Sequence, residues 1–271
     1  MKFQDQLSRT IELQSFPPKK IVSVVPSQTE LLSDFGLDEE VIGITKFCVH
    51  PEHWFRNKVR IGGTKKLNIS LIKELRPDLI IANKEENLQA EIELLAKEFP
   101  VWISDISNLN DAYKMIEKLG ELTGKSEESA KLLTQIKLNF EKEFLNDRQT
   151  ELSSELRPRA AYLIWKEPYM AAGGDTFISE MMNVAGFQNA LQTKSRYPEI
   201  SVDDLTKINA DILFLSSEPY PFSEKHAEEL QSILPQTKIK LVDGEMFSWY
   251  GSRLLLTPAY LRQLRELVFN S

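Results

Sequence analysis

A chain of 271 residues, 42% apolar and 27% charged, has the composition of a globular protein and is long enough for one large domain or two ordinary ones. Its net charge of -7 argues against nucleic acid or an anionic membrane surface as the main partner, and the short basic runs Lys19-Lys20 and Lys65-Lys66 do not alter that. The single cysteine, Cys48, excludes an internal disulfide and a four-cysteine zinc site.

Residues 1–18 read as an irregular or strand-like arm ending at Pro17-Pro18. They carry no apolar run of leader type, and no later stretch is long enough to cross a bilayer. The expectation is a cytoplasmic protein as the sequence stands, or a periplasmic or lipid-anchored one if a leader was trimmed. The β-branched run at 21–25 predicts a buried parallel strand. Ser27-Gln28-Thr29-Glu30 then reads as a capping box for a short helix that Gly36 closes. Val41 to Ile44 is the next strand, Ile69 to Leu75 a helix, and Leu79 to Ile81 a strand. Leu88 to Phe99, Val101 to Ile103 and Leu109 to Leu122 continue the alternation as helix, strand and helix, the pattern of an open parallel sheet.

Ser126 to Asp147 is the longest predicted element. Its acids sit in the first turn, and Leu132, Ile136, Phe140 and Phe144 recur every fourth residue, which gives one apolar stripe on a helix of roughly 33 Å. Beyond it come a strand at 160–165, a helix at 176–185 capped by Asp175 and closed by Gly186, and a strand at 212–215. A helix at 224–234, a strand at 239–242 and a terminal helix at 254–269, with Pro258 in its first turn or at a kink, complete the set. The fold class is therefore α/β: two Rossmann-like lobes with parallel sheets, residues 1–123 and 151–271, bridged by one long helix within 124–150. A ligand cleft is expected between the lobes, where residues just after each strand converge.

Those strand ends hold Phe47, Trp165, Tyr169, Tyr197, Phe247, Trp249 and Tyr250, in a chain that is only 9% aromatic. Exposed loops rarely carry so many rings without a use, so a large, partly flat ligand is expected. Half-burying one ring against it is worth roughly 2.5 kcal/mol before ordering costs.

IVSVVPSQTELLSDFGLDEEVIGITKFCVHP, with IGGT, LNISLIKELRPDLIIA and AAGGDTFISEMMNVAGFQNAL, resembles the cobalamin and iron-siderophore class of ABC-transporter substrate-binding proteins, helical-backbone metal receptors of the class III periplasmic-binding-protein fold. The resemblance runs from about Lys20 to Arg265. It implies two lobes bridged by one helix, no enzymatic activity, no covalently bound cofactor, a monomer, and a metal chelate as cargo: a corrinoid such as cobalamin, haem or a ferric siderophore. Carried over by position, it implies aromatic contacts at Phe47, Trp165 and Tyr197 and a carboxylate contact at Glu245. Thr64 and Asn83 stand where such relatives have aromatics, which predicts a more polar floor in the first lobe. Relatives dock on the permease through one surface glutamate per lobe; here Asp203 fills the second-lobe position and Ser70 the first. Ser27, Trp249 and Arg253 join the candidate contacts, Arg253 either meeting an anionic ligand group or bracing its loop.

Two other chemistries are open on the residues. Cys48 and His50 lie close enough to hold a free divalent metal with a further carboxylate, or to supply an axial ligand, although a lone cysteine also serves as a small buried hydrophobe. The fold would also serve a cytoplasmic interaction module without a small ligand. No nucleophile triad is legible around Ser27, and Gly173-Gly174-Asp175-Thr176 reads as a turn before a helix cap rather than a nucleotide fingerprint.

Overall fold

The structure, a computed structural model, describes residues 1–144 and 157–269. The last residues of the expected long helix, Leu145 to Asp147, and the end of the expected bridging segment lie outside them. The described chain divides into two compact units: Met1–Ile106 with Asn110–Ile136 and Tyr250–Arg253, and Ser107–Leu109 with Lys137–Trp249 and Leu254–Ser271.

The first unit begins with an antiparallel pair, β1 (Lys2–Gln4) and β2 (Thr10–Glu12). Its core is a five-stranded, wholly parallel sheet ordered β5-β4-β3-β8-β9. These strands are β3 (Ile21–Ser23), β4 (Val41–Ile44), β5 (Val59–Arg60), β8 (Leu79–Asn83) and β9 (Val101–Ser104), with a small hairpin, β6 (Gly62–Gly63) and β7 (Lys66–Leu67), between. Every residue of β3, β8 and β9 is buried, as expected of strands covered by helices on both faces. The helices are α1 (Pro26–Asp34), α2 (Glu52–Asn57), α3 (Ile69–Leu75), α4 (Gln89–Ala96) and α5 (Leu109–Thr123). The long helix α6 (Ser126–Phe144) divides its residues between the units at Ile136.

The start of α1 corrects the expected capping box. Its N-cap is Val25, which makes no side-chain bond, and Pro26 opens the first turn. Proline serves there because its missing N–H would have had no helical partner and its φ is already helical. Ser27 consequently sits inside the helix.

The second unit is built on β10 (Arg159–Trp165), β11 (Tyr169–Ala171), β12 (Gln188–Asn189), β13 (Glu199–Ile200), β14 (Ile212–Ser216) and β15 (Lys238–Val242). Strands β12, β14 and β15 run parallel in this sheet, but β11 and β13 join the β10 edge antiparallel, so the expectation of a purely parallel sheet is corrected for this unit. Its helices are α7 (Phe177–Val184), α8 (Val202–Ile208), α9 (Glu224–Ile233), α10 (Glu245–Ser248) and α11 (Thr257–Phe269), with Pro258 in the first turn of α11. Thr176, not Asp175, caps α7 by accepting from the Ser179 N–H, while Asp175 accepts from the Arg196 N–H. No described helix is long and apolar enough to cross a membrane.

Candidate functional site

In the first unit the carboxyl ends of β3, β4 and β8 carry the predicted residues. Phe47, in the turn after β4, is half exposed, with the Lys46 ammonium 5.0 Å from its ring centroid. Gly63 lies behind the ring: a Cβ there would come within 3.1 Å of Phe47 Cε2. Phe47 is thus an exposed ring packed edgewise on a side-chain-free residue, with a cation over it. Ser27 is different, since it is buried, and a Cβ on Gly251 would lie 2.8 Å from its carbonyl. Arg253 is bound bidentately to Glu30, Nη2 to Oε1 at 2.7 Å and Nε to Oε2 at 3.2 Å, so of its two expected roles the brace is the one built.

Cys48 is fully buried. Its Sγ lies 3.1 Å from the Thr29 hydroxyl and 3.1 Å from that of Thr45, and burial pushes the thiol up from its ordinary range against those hydrogen bonds. A thiol kept protonated is a poor metal ligand. Among the described residues no group of three or more His, Cys, Asp and Glu is placed to hold a metal ion, and His50, two residues on, lies in no such group. The pair is a candidate that the geometry disfavours, the thiol being spent on two threonines.

Thr64 and Asn83, the residues expected to make the first lobe's floor more polar, are both buried. Asn83 Nδ2 donates to Ser104 Oγ at 2.9 Å, and its Oδ1 accepts from the N–H groups of Glu85 and Glu86 at 2.8 and 3.0 Å. Asn87 donates to the carbonyls of Val24 and Thr64, both at 3.1 Å. These amides knit the loop after β8 to its neighbours. Glu86 in that loop is partly buried: burial holds its carboxyl above the usual range, and the Lys65 charge opposes the rise.

In the second unit Trp165 ends β10 and is 40% exposed, whereas the other three tryptophans, Trp54, Trp102 and Trp249, are buried. Its ring meets Tyr220 edge-on at 5.7 Å. Lys166 beside it pairs with Glu229 at 2.6 Å, which raises the lysine and lowers the carboxylate from their ordinary ranges. Tyr197 is partly exposed in the loop that leads to β13. Glu245 opens α10, its N–H donating to Asp243 Oδ1 at 3.0 Å. Trp249 turns out to be a brace: its Nε1 donates to Glu218 Oε1 at 2.8 Å, and Ser248 Oγ donates to the same oxygen at 2.7 Å. The glycine pair of the second unit is also structural, because a Cβ on Gly174 would lie 2.0 Å from the Gln192 carbonyl oxygen. A polar cavity of about 470 Å³ runs along α7, lined by Arg157, Asp175, Glu180, Asn183, Gln188 and Gln192, and holds none of the predicted contacts.

Asp203 and Ser70 both prove to be exposed second residues of short helices, α8 and α3. The fold thus presents like positions in the two units, one acidic and one neutral. Asp204 is occupied otherwise, accepting from the Ser201 N–H and hydroxyl in a capping box, which holds its carboxyl below the usual range.

The sequence pattern of the periplasmic binding protein family matches residues 21–236. The chain belongs to that family. Its members are binding proteins that deliver substrates, not enzymes. The family pattern covers all the strands of the first sheet and most of those of the second. Among relatives, the chain is 26% identical over 202 residues to the uncharacterized ABC transporter substrate-binding lipoprotein YvrC of Bacillus subtilis (strain 168), covering 72% of this chain and 63% of that one. It is 23% identical over 202 residues to the vitamin B12-binding protein of Vibrio campbellii, covering 74% and 71%. The fold is shared with the vitamin B12-binding protein of Vibrio cholerae (TM-score 0.77, 20% identity, 95% and 100% covered) and with a haem-binding protein of Pseudomonas aeruginosa (0.79, 18%, 94% and 94%). A molybdate-binding protein of Haemophilus influenzae has it as well (0.80, 14%, 100% and 91%).

Sequence reasoning missed Tyr220, the ring against which Trp165 rests. The only signal was the aromatic pair Tyr220 and Phe222 flanking Pro221, in a stretch with no periodicity to place it.

Proposed function

We propose that this chain is the substrate-binding protein of an ABC-type uptake system, and that its cargo is a metal chelate with a broad flat face: a corrinoid, haem or a ferric siderophore. The observation that carries the reading is the pair Phe47 and Trp165. Each is a large ring at or just beyond the end of a sheet strand, at a position where the resemblance implies a ligand contact, and each leaves 40–50% of its surface in water. Rings that are neither buried nor needed to close a core gain free energy only when something covers them. The names of the relatives support the same class of cargo. Tyr197 and Glu245 complete the proposed contact set, and Asp203 with Ser70 mark the proposed permease-docking surface, the neutral serine giving the first unit the weaker grip. That role requires the receptor to stand on the same side of the membrane as the permease mouth, as the lipoprotein relative's name fits.

The test is a titration of the protein with cyanocobalamin, haemin and a ferric hydroxamate, read by tryptophan emission and by thermal shift. One of the three should quench saturably, with roughly micromolar affinity or better, about -8 kcal/mol, from three or four ring contacts less the cost of association. No saturable quenching and no stabilisation by any of them would sink the proposal.

A further inference from the structure

A connected side-chain cluster in the second unit that the proposed contacts do not use stands behind Trp165. Tyr220 follows β14 in a loop whose backbone is tied to β10, the Tyr220 N–H donating to the Ile164 carbonyl at 3.3 Å. Its ring is nearly perpendicular to that of Trp165, at 69° and 5.7 Å between centroids, the edge-to-face arrangement that the ring quadrupoles favour. Phe222 backs the same ring at 4.8 Å. The Tyr220 hydroxyl lies 3.2 Å from His226 Nε2. His226 Nδ1 accepts from the Ser223 N–H at 3.0 Å, with the Ser223 hydroxyl also at 3.0 Å. A backbone N–H has only one role, so Nδ1 carries no proton; the imidazole proton is on Nε2 and is donated to the Tyr220 oxygen.

His226 therefore does two things. It takes the third helical position of α9, where it completes a capping box with Ser223, and through its far nitrogen it fixes the tilt of Tyr220. A glutamate would serve the first purpose alone; the second needs a donor beyond the acceptor, and the imidazole carries one from the helix start to the tyrosine. The remaining charged neighbours, Lys166 and Glu229, satisfy each other.

We propose that Tyr220 and His226 are positioning residues for Trp165, holding the exposed indole in the orientation that receives the flat face of the ligand. The inference rests on Trp165 being a ligand contact, as proposed above. An exposed indole held in one orientation loses less freedom on binding than one that swings, so the relay raises affinity without touching the ligand.

Because the other three tryptophans are buried, acrylamide quenching of the free protein reports on Trp165. Tyr220→Phe keeps the ring and removes the hydroxyl; His226→Asn keeps an oxygen for the Ser223 N–H and removes the far nitrogen. Each should raise the quenching constant by half or more with melting temperature nearly unchanged. The double variant should match the singles, because both cut the same link. His226→Gln, whose amide extends to the Nε2 position, should restore the parent value. With whichever of cyanocobalamin, haemin or ferric hydroxamate the parent binds, Tyr220→Phe and His226→Asn should weaken affinity three- to tenfold. Unchanged quenching in both singles, or additive effects in the double, overturns the proposal. If no chelate binds the parent, the functional reading fails while the quenching series still decides the positioning.

Discussion

Replacing Arg253 with methionine distinguishes a structural brace from a ligand contact. The guanidinium and the Glu30 carboxylate meet through two bonds, and their side chains are only 11% and 18% exposed. Methionine keeps most of the apolar stem and removes the charge, leaving Glu30 to lose both charge-assisted bonds in a poorly solvated place. Breaking one partner of a fully buried pair costs about 3–5 kcal/mol, and the residual exposure of both groups lowers that to roughly 2–3 kcal/mol. For a chain of this size the loss corresponds to a fall in melting temperature of roughly 4–10 °C. Scanning calorimetry of Arg253→Met, Glu30→Met and the double variant checks it. The double variant should recover much of the loss, since an apolar pair of similar volume needs no charge partner, and chelate affinity should stay within about twofold of the parent. A melting temperature that does not move, with affinity reduced tenfold or more, would refute the brace and return Arg253 to the ligand.

Three further outcomes follow from the same structure. Cys48 should not react with a thiol reagent at neutral pH in the folded protein and should react at once on unfolding, because burial holds the thiol protonated beneath two threonine hydroxyls; rapid stoichiometric labelling of the native state would contradict that. Glu86→Gln should raise the melting temperature at pH 7.5, with the gain shrinking toward pH 4. A carboxyl whose folded pKa is raised binds its proton more tightly folded than unfolded, so stability falls as pH rises through that range and the neutral amide escapes the fall; a pH-independent effect would show that burial of the charge is not the cause. Gly174→Ala should cost at least about 2 kcal/mol by chemical denaturation, because the added methyl meets the Gln192 backbone rather than a side chain that can swing away. Wild-type stability in that variant would mean the two turns can separate there.

The longer parallel strands were legible because each is a short, largely apolar run, whereas the two-residue parallel strand β5 was not. The edge strands β11, β12 and β13 were not. Two or three residues establish no periodicity, and their pairing is set by the partner strands, β10 for β11 and β12 and β11 for β13, not by their own side chains. Helix α8 was missed, although Ser201 and Asp204 form a capping pair at the right spacing. At the site, Phe47 and Trp165 could be read because large rings stood just beyond apolar runs. Trp249 and Arg253 looked the same from sequence, yet each had a carboxylate waiting elsewhere in its own unit, 31 residues away at Glu218 and 223 at Glu30. Such pairings exist only after folding. Ser27 was misplaced for a local reason, since Pro26 starts the helix two residues earlier than a cap at Ser27 would. The role of His226 was hidden twice, because histidine is not an expected member of a capping box and its second nitrogen acts on a loop ring.

The central claim is tested most directly by isothermal titration of the parent and of Phe47→Ala with Trp165→Ala, using the chelate that quenches the parent. Neither ring supports a buried core, so both variants should melt close to the parent. The account predicts that each substitution alone weakens binding at least about tenfold, the half-burial of one ring being worth roughly 2.5 kcal/mol before ordering costs, and that the double variant shows no measurable heat. Parent-like affinity in the double variant would contradict the account and place the ligand elsewhere on the chain.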